Sequence, residues 1–376
     1  MKLRLMSLLL AALLVGCSGG GGGTSTSAAT SNSYTGTQSP GDLWTATFGT
    51  GTFSASNTNT TSAVTFSGTT ALQASGLLQL TVTTTSDATK VAVGSIGYAL
   101  EYPGTATLML PPGIAASAVS NTRPVVLVAK AASAGFAVGT TFNWVVVPTA
   151  NWMTGITNGS NISCPTSTGN VRGTGSVTAV SGSTIMISIN EYDYCDIQTT
   201  TGAIQTLTDL GSGEIQGTNS GTTITFQVSP SGTFMGDITA TALQNVAGFI
   251  GMKAPTSNID TTTFYSQNRT FRGFVFRTVS GSGTPYTEPV GGTVTAGVTT
   301  ISGFTMNPVT GALSSGGNTI SLGAAQQTPG VFSGATITTG SGVHPATFVI
   351  NQVNGKYFVY GFGYDGLPFN FMLIEQ

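Results

Sequence analysis

The stretch 348-FVINQVNGKYFVYGF-362 decides the fold. Phe348, Ile350 and Gln352 fall on alternate positions and lead into Asn354-Gly355, after which Tyr357 to Phe362 runs back. Period-two alternation marks a β-strand, and Asn-Gly suits the left-handed conformations of a type I′ turn, so the segment reads as a hairpin. The same pattern recurs upstream. Leu78, Leu80 and Val82 share a face. Ser176 to Asn190 reads as a second hairpin, with Val177 and Ala179 before a Ser181-Gly182-Ser183 turn and Ile185, Ile187 and Ile189 after it. Ile224, Phe226 and Val228 alternate in a further strand. Downstream, Asp365-Gly366 makes a turn, and Phe369, Phe371 and Leu373 form one face of a last strand. Helical signals are few. Leu243, Val246, Ala247 and Ile250 fit helical spacing, but Gly248 and Gly251 interrupt it and leave the segment ambiguous.

These signals predict an all-β fold, an antiparallel sandwich and/or barrel. The chain has 376 residues, long for one sandwich, so two β domains are expected, residues 41–123 and 124–376. Pro111-Pro112-Gly113 through Pro124 would be the linker between them or a long loop. No 20–50-residue repeat appears. Gly175 to Ile185 and Gly292 to Ile301 share Gly-x-Val-Thr-Ala, which low-complexity composition alone can produce.

Composition narrows the function. Hydrophobic residues make up 40% and aromatics 9%, which excludes a disordered polar tail, while charged residues are only 6% and the formal net charge is −2. So few ionisable groups leave little for acid–base chemistry, phosphate binding or nucleic-acid contact. Arg269, Arg272 and Arg277 are the one local basic group. On a strand, Arg269 and Arg277 share a face while Arg272 joins Phe274 and Phe276 on the other, so they form no single patch.

The N-terminus supplies an address. Lys2 and Arg4 precede an apolar run, Leu5 to Val15, too short to span a bilayer, which reads as a secretory signal peptide over residues 1–16. The run ends in Leu14-Val15-Gly16-Cys17, which resembles the lipobox of bacterial lipoproteins. The resemblance implies a diacylglycerol on the Cys17 thiol, cleavage between Gly16 and Cys17, and acylation of the new amino group. Ser18 stands where an Asp would signal inner-membrane retention, which implies an outer-membrane lipid anchor, periplasmic or surface-facing. Residues 17–40 then form the lipidated cysteine and a Gly/Ser/Thr-rich tether. The chain does not end in the Phe typical of outer-membrane barrels, which favours a soluble domain on a leash.

With Cys17 lipidated, Cys164 and Cys195 remain as an even pair in an exported chain, and a disulfide is expected. Closing that loop would remove about 3.7 kcal/mol of unfolded-chain entropy. Two Cys and one distant His do not make a zinc site. Glu191-Tyr192-Asp193-Tyr194-Cys195-Asp196 is the densest acidic cluster. On a strand Glu191 and Asp193 share a face and Asp196 takes the other. The three are weak Ca²⁺ candidates, and Glu191 with Asp193 could form a glycosidase pair, against the simpler reading of a solvated edge. His344 is the single histidine, and Gly-x-Ser-x-Gly occurs only across the lipobox, so it reads as a loop residue without catalytic duty. Trp144 and Trp152 are weak candidates for sugar stacking, set against burial in a core.

Three functions are carried forward: a non-enzymatic binding or adhesion module of the cell surface, a secreted glycan-acting hydrolase, and a structural envelope component. None calls for a cofactor or a nucleic-acid partner. The expected partners are the membrane, through the N-terminal lipid, and a glycan or surface-protein ligand.

Overall fold

The structure is a computed structural model. It describes residues 32–38, 42–58, 63–102, 104–112, 125–131, 135–147, 172–192, 196–219, 222–230, 232–240, 248–303, 305–313, 317–323, 325–364 and 368–376, except 278–285. Among the described residues, twenty-four antiparallel strands close into three eight-stranded barrels. Barrel 1 consists of β1 (Asn32–Gln38), β2 (Asp42–Gly49), β3 (Thr52–Asn57), β4 (Val64–Leu72), β5 (Leu78–Thr85), β6 (Ile96–Tyr102), β7 (Ala106–Leu110) and β8 (Val125–Ala129). Barrel 2 consists of β9 (Thr141–Val147), β10 (Arg172–Ser181), β11 (Thr184–Tyr192), β12 (Gln198–Gly211), β13 (Glu214–Asn219), β14 (Thr222–Val228), β15 (Thr233–Ala240) and β16 (Gly248–Lys253). A single helical turn, α1 (Thr261–Tyr265), capped by the Asp260 side chain accepting from the Thr262 N–H, precedes barrel 3. That barrel consists of β17 (Arg269–Arg277), β18 (Tyr286–Val294), β19 (Ile301–Ser302), β20 (Thr319–Ser321), β21 (Val331–Thr339), β22 (Gly342–Val353), β23 (Lys356–Tyr364) and β24 (Pro368–Glu375). In each, the first strand pairs with the last.

The all-β reading holds, in its barrel form. The hairpins fall where the sequence puts them: β10 turns into β11 at Gly182-Ser183, and β22 into β23 at Asn354-Gly355, whose φ values of 50° and 82° are those of a type I′ turn. Two expectations are corrected. The strands close three barrels rather than two units, and the division expected at 123/124 falls inside barrel 1, before β8. Of the two readings of the Pro-rich segment after Leu110, the loop holds and the linker does not: it joins β7 to β8 within barrel 1, because Val125 to Ala129 pairs back onto β7 and β1. The tether expected to reach residue 40 gives way at Asn32 to β1, where Tyr34 supplies a large core side chain and the flanking strands supply the hydrogen bonds. Ile250, the last of the positions at helical spacing, lies in β16, which pairs with β15 and β9.

An eight-stranded barrel is just wide enough for its interior to be filled by side chains. Barrel 1 packs Tyr34, Trp44, Phe48, Phe53 and Phe66 inside, and barrel 3 packs Phe271, Phe332, Phe348 and Phe371 with Phe264 of α1. Barrel 2 holds Phe142 and Trp144 over Gly173 and Gly175. A Cβ on Gly173 would lie 2.0 Å from the Trp144 ring, so the aromatic fits because the glycine is bare. The shared Gly-x-Val-Thr-Ala segments acquire a meaning here. Each begins on the second strand of a barrel, and its glycine pairs with the phenylalanine of a Thr-Phe on the first, Gly175 with Phe142 and Gly292 with Phe271.

The outside of each barrel has two characters. One side is apolar and contributes to a common seam: Leu100, Leu108 and Val126 from barrel 1, Val145, Ile250 and Met252 from barrel 2, and Phe274, Val349, Tyr360, Phe362 and Met372 from barrel 3. Strands on that side are buried on both faces, which is why β7, β8 and β24 are near-continuous apolar runs. Polar contacts fix the seam. The Tyr360 hydroxyl donates to the Asn143 carbonyl at 2.8 Å, Asn143 Nδ2 to the Pro329 carbonyl at 2.9 Å, and Arg272 Nε to the Ser75 carbonyl at 2.9 Å. The other side of each barrel carries alternating strands, such as β3, whose outward residues are Thr52, Ser54 and Ser56.

Candidate binding face

The solvent side of barrel 1 is an ordered array of hydroxyls. Alternation along β1 to β5 sends aromatic and aliphatic residues inward and Ser or Thr outward. Register then aligns the outward residues across strands. Ser33, Thr47, Ser54, Ser67 and Thr84 form one row, and Thr35, Thr45, Ser56 and Thr65 a second. Neighbours within a row sit about 4.8 Å apart, and the rows about 7 Å apart. Ser67 and Thr84 hydroxyls bond at 2.6 Å and those of Ser33 and Thr47 at 3.2 Å. Ser86 extends the second row by accepting from the Thr65 N–H at 2.9 Å. A bulge shifts the pairing of β4 with β5 between Ser67 and Gly68, adding local twist. The strands β2 to β5 enclose a shallow groove of about 500 Å³, lined by Ser and Thr with Ala55 and Phe66 and, among the described residues, by no ionisable side chain. Sequence reasoning counted these residues only as composition. The signal was present in Thr45-Ala46-Thr47, Ser54-Ala55-Ser56 and Thr65-Phe66-Ser67, three successive strands with one buried residue between two hydroxyls.

The residues singled out from sequence are dispersed. Trp144 is 9% exposed inside barrel 2, so it packs a core and offers no stacking surface. Cys17, Trp152, Cys164, Asp193 and Cys195 lie outside the described residues. The two described members of the acidic cluster have separate engagements. Glu191 accepts from the Thr200 hydroxyl at 2.9 Å. Asp196, in a left-handed conformation with φ 64°, pairs with the Arg172 guanidinium, which also donates to Gln327 of barrel 3 and lies 3.6 Å over the Tyr192 ring. Arg172 is 1% exposed, and burial lowers its pKa against the pull of Asp196. A cation at Asp196 would have to displace that guanidinium.

Two arginines of β17 are likewise occupied in the fold, and the side chain of the third, Arg277, lies outside the described residues. Arg269 pairs with Glu375 at 2.7 Å and donates to the Phe264 carbonyl at 2.8 Å, closing one end of barrel 3. Arg272 faces the seam with Phe274. His344 stands at the start of β22 beyond an exposed turn, with its Nε2 3.0 Å from the Ser341 hydroxyl, which bonds Thr339 at 2.7 Å. A serine–histidine contact of this length satisfies the first requirement of a nucleophile and base. Its surroundings do not: Ser341 and Thr339 lie on a solvated hairpin tip, and among the described residues no carboxylate bonds the His344 ring. His344→Ala is therefore expected to leave ligand binding within a few-fold of the parent, measured alongside the circular dichroism spectrum. Abolished activity in a folded variant would move a hydrolase to first place.

No family model and no curated protein matches the chain. Among solved structures, two mutants of the vaccine antigen transferrin binding protein B from Haemophilus parasuis are similar. One superposes with a TM-score of 0.31 at 9% identity over 93% of this chain and 76% of that one. The other superposes with 0.31 at 10% over 89% and 65%. At that score the superposition is loose, and the architecture rests on this chain's own strand pairing.

Proposed function

We propose that the protein is a lipid-anchored protein of the bacterial cell surface, held at the outer membrane through Cys17 with its barrels facing outward, where they act as a non-enzymatic binding or adhesion module. The hydroxyl-lined groove on barrel 1 carries the reading: a concave, uncharged, regularly spaced polar surface, turned away from the seam that joins the barrels. The lipobox supports the anchor, and residues 18–31 supply the tether between Cys17 and β1. Arg172's hold on Asp196 speaks against a Ca²⁺ site there; of the Glu191–Asp193 pair behind the hydrolase alternative, Glu191 bonds the Thr200 hydroxyl and Asp193 lies outside the described residues. Cys164 and Cys195 are read as a disulfide because export places them in an oxidising compartment.

Attachment tests the function. Phospholipid vesicles carrying the full lipidated chain, washed over surfaces coated separately with collagen, fibronectin, mucin and neutral polysaccharides, should be retained on at least one coating where protein-free vesicles are not. Equal loss from every coating would overturn the binding-module reading.

A further inference from the structure

We propose that the groove on barrel 1 binds a neutral glycan chain laid across strands β2 to β5; this rests on the binding-module reading and names its ligand class. The chemistry of the lining selects the ligand. A phosphate, nucleic acid or acidic peptide needs a cation, and a basic peptide needs a carboxylate, but among the described residues no lining side chain is ionisable. An apolar segment needs an exposed apolar floor, but Ala55 and Phe66 point into the barrel, 5% and 3% exposed. What remains outward is hydroxyl, and a hydroxyl both donates and accepts. Sugar hydroxyls have the same dual capacity and carry no charge to desolvate.

Geometry supports a chain over a single sugar. The two rows cross the strands in parallel, each offering a hydroxyl about every 4.8 Å, with about 7 Å between rows. An extended oligosaccharide lying along them would meet both rows, one along each edge. The bonds Ser67–Thr84 and Ser33–Thr47 tie neighbouring hydroxyls together within the first row, and each pair keeps one O–H and spare lone pairs for a ligand. The strands that present the rows belong to a closed barrel with a packed aromatic interior, so the array is held before ligand arrives. With no aromatic platform in the lining, a single groove should bind weakly. Many copies on one membrane would raise the avidity.

The test uses vesicles of phosphatidylcholine bearing the full lipidated chain, passed over amylose, cellulose, xylan and galactomannan, with alginate as an anionic comparison. Retention on at least one neutral polysaccharide is expected, and free oligosaccharide of the same kind should elute it. The combined variant Thr47→Val, Ser54→Ala, Thr65→Val and Thr84→Val removes hydroxyls while keeping good strand formers at the threonine positions. It should lower retention at least tenfold. Thr206→Val with Thr208→Val, exposed on β12 of barrel 2, should change it less than twofold. Circular dichroism checks folding; if the combined variant misfolds, Thr65→Val alone should lower retention at least threefold. No retention on any neutral polysaccharide, or equal retention by a folded groove variant, overturns the proposal. Retention on protein coatings alone would overturn it too, while leaving the binding-module reading intact.

Discussion

Cys17→Ala is expected to release the protein from the membrane fraction or leave it as unprocessed precursor. The physical reason is the energetics of acyl chains. One chain holds a protein only marginally, two or three hold it stably, and the lipobox thiol is where the first pair would attach. Without the thiol there is neither a lipid nor a cleavage signal, so the change should be close to complete. Fractionation with mass spectrometry of the N-terminus reads both outcomes. Parent-like fractionation with parent-like processing would remove the anchor from the account.

The largest stability effect is expected at Arg172. Its guanidinium is buried where barrel 2 meets barrel 3, bonded to Asp196 and Gln327 and stacked on Tyr192. Removing one partner of a buried ion pair strands the other, at a typical cost of 3–5 kcal/mol. Replacing both with apolar residues is often neutral. Asp196 keeps 22% of its side-chain exposure, which lets water recover part of the loss, so Arg172→Met should destabilise by about 3 kcal/mol. Adding Asp196→Leu should restore at least half of that. Equilibrium denaturation of the two variants separates a stranded charge from simple loss of packing. A double variant no more stable than Arg172→Met would show that the cost lies in packing.

How much of this was legible in the sequence follows from burial. Hairpins with one wet face announce themselves, because alternation and a two-residue turn are local signals: Ile185, Ile187 and Ile189 after Gly182, or Phe348 and Ile350 before Asn354-Gly355. Barrel closure is not local. β1 pairs with β8 across nearly a hundred residues, and its sequence, Asn-Ser-Tyr-Thr-Gly-Thr-Gln, looks like tether because a strand whose hydrogen bonds come from both neighbours needs only Tyr34 to hold it. The three-barrel count was hidden for a related reason. Val125 to Ala129 and Phe369 to Ile374 do not alternate, since one face fills a barrel and the other fills the seam. The binding face was hidden by composition: in a chain rich in Ser and Thr, only cross-strand register separates an aligned row of hydroxyls from a scatter of them. Trp144 went the other way. From sequence it was a weak candidate for sugar stacking, yet opposite it in β10 stands Gly173, which makes room for the indole inside the barrel.

The claim that this is a membrane-tethered module facing outward is tested most directly by labelling intact cells. Thr50→Cys places a thiol at the exposed turn between β2 and β3, beside the hydroxyl groove. With Cys17 lipidated and Cys164 bonded to Cys195, it would be the one thiol free to react. A membrane-impermeant maleimide should label it on intact cells, and permeabilising the outer membrane should add little. Labelling that appears only after permeabilisation would place the barrels on the periplasmic side and contradict the account.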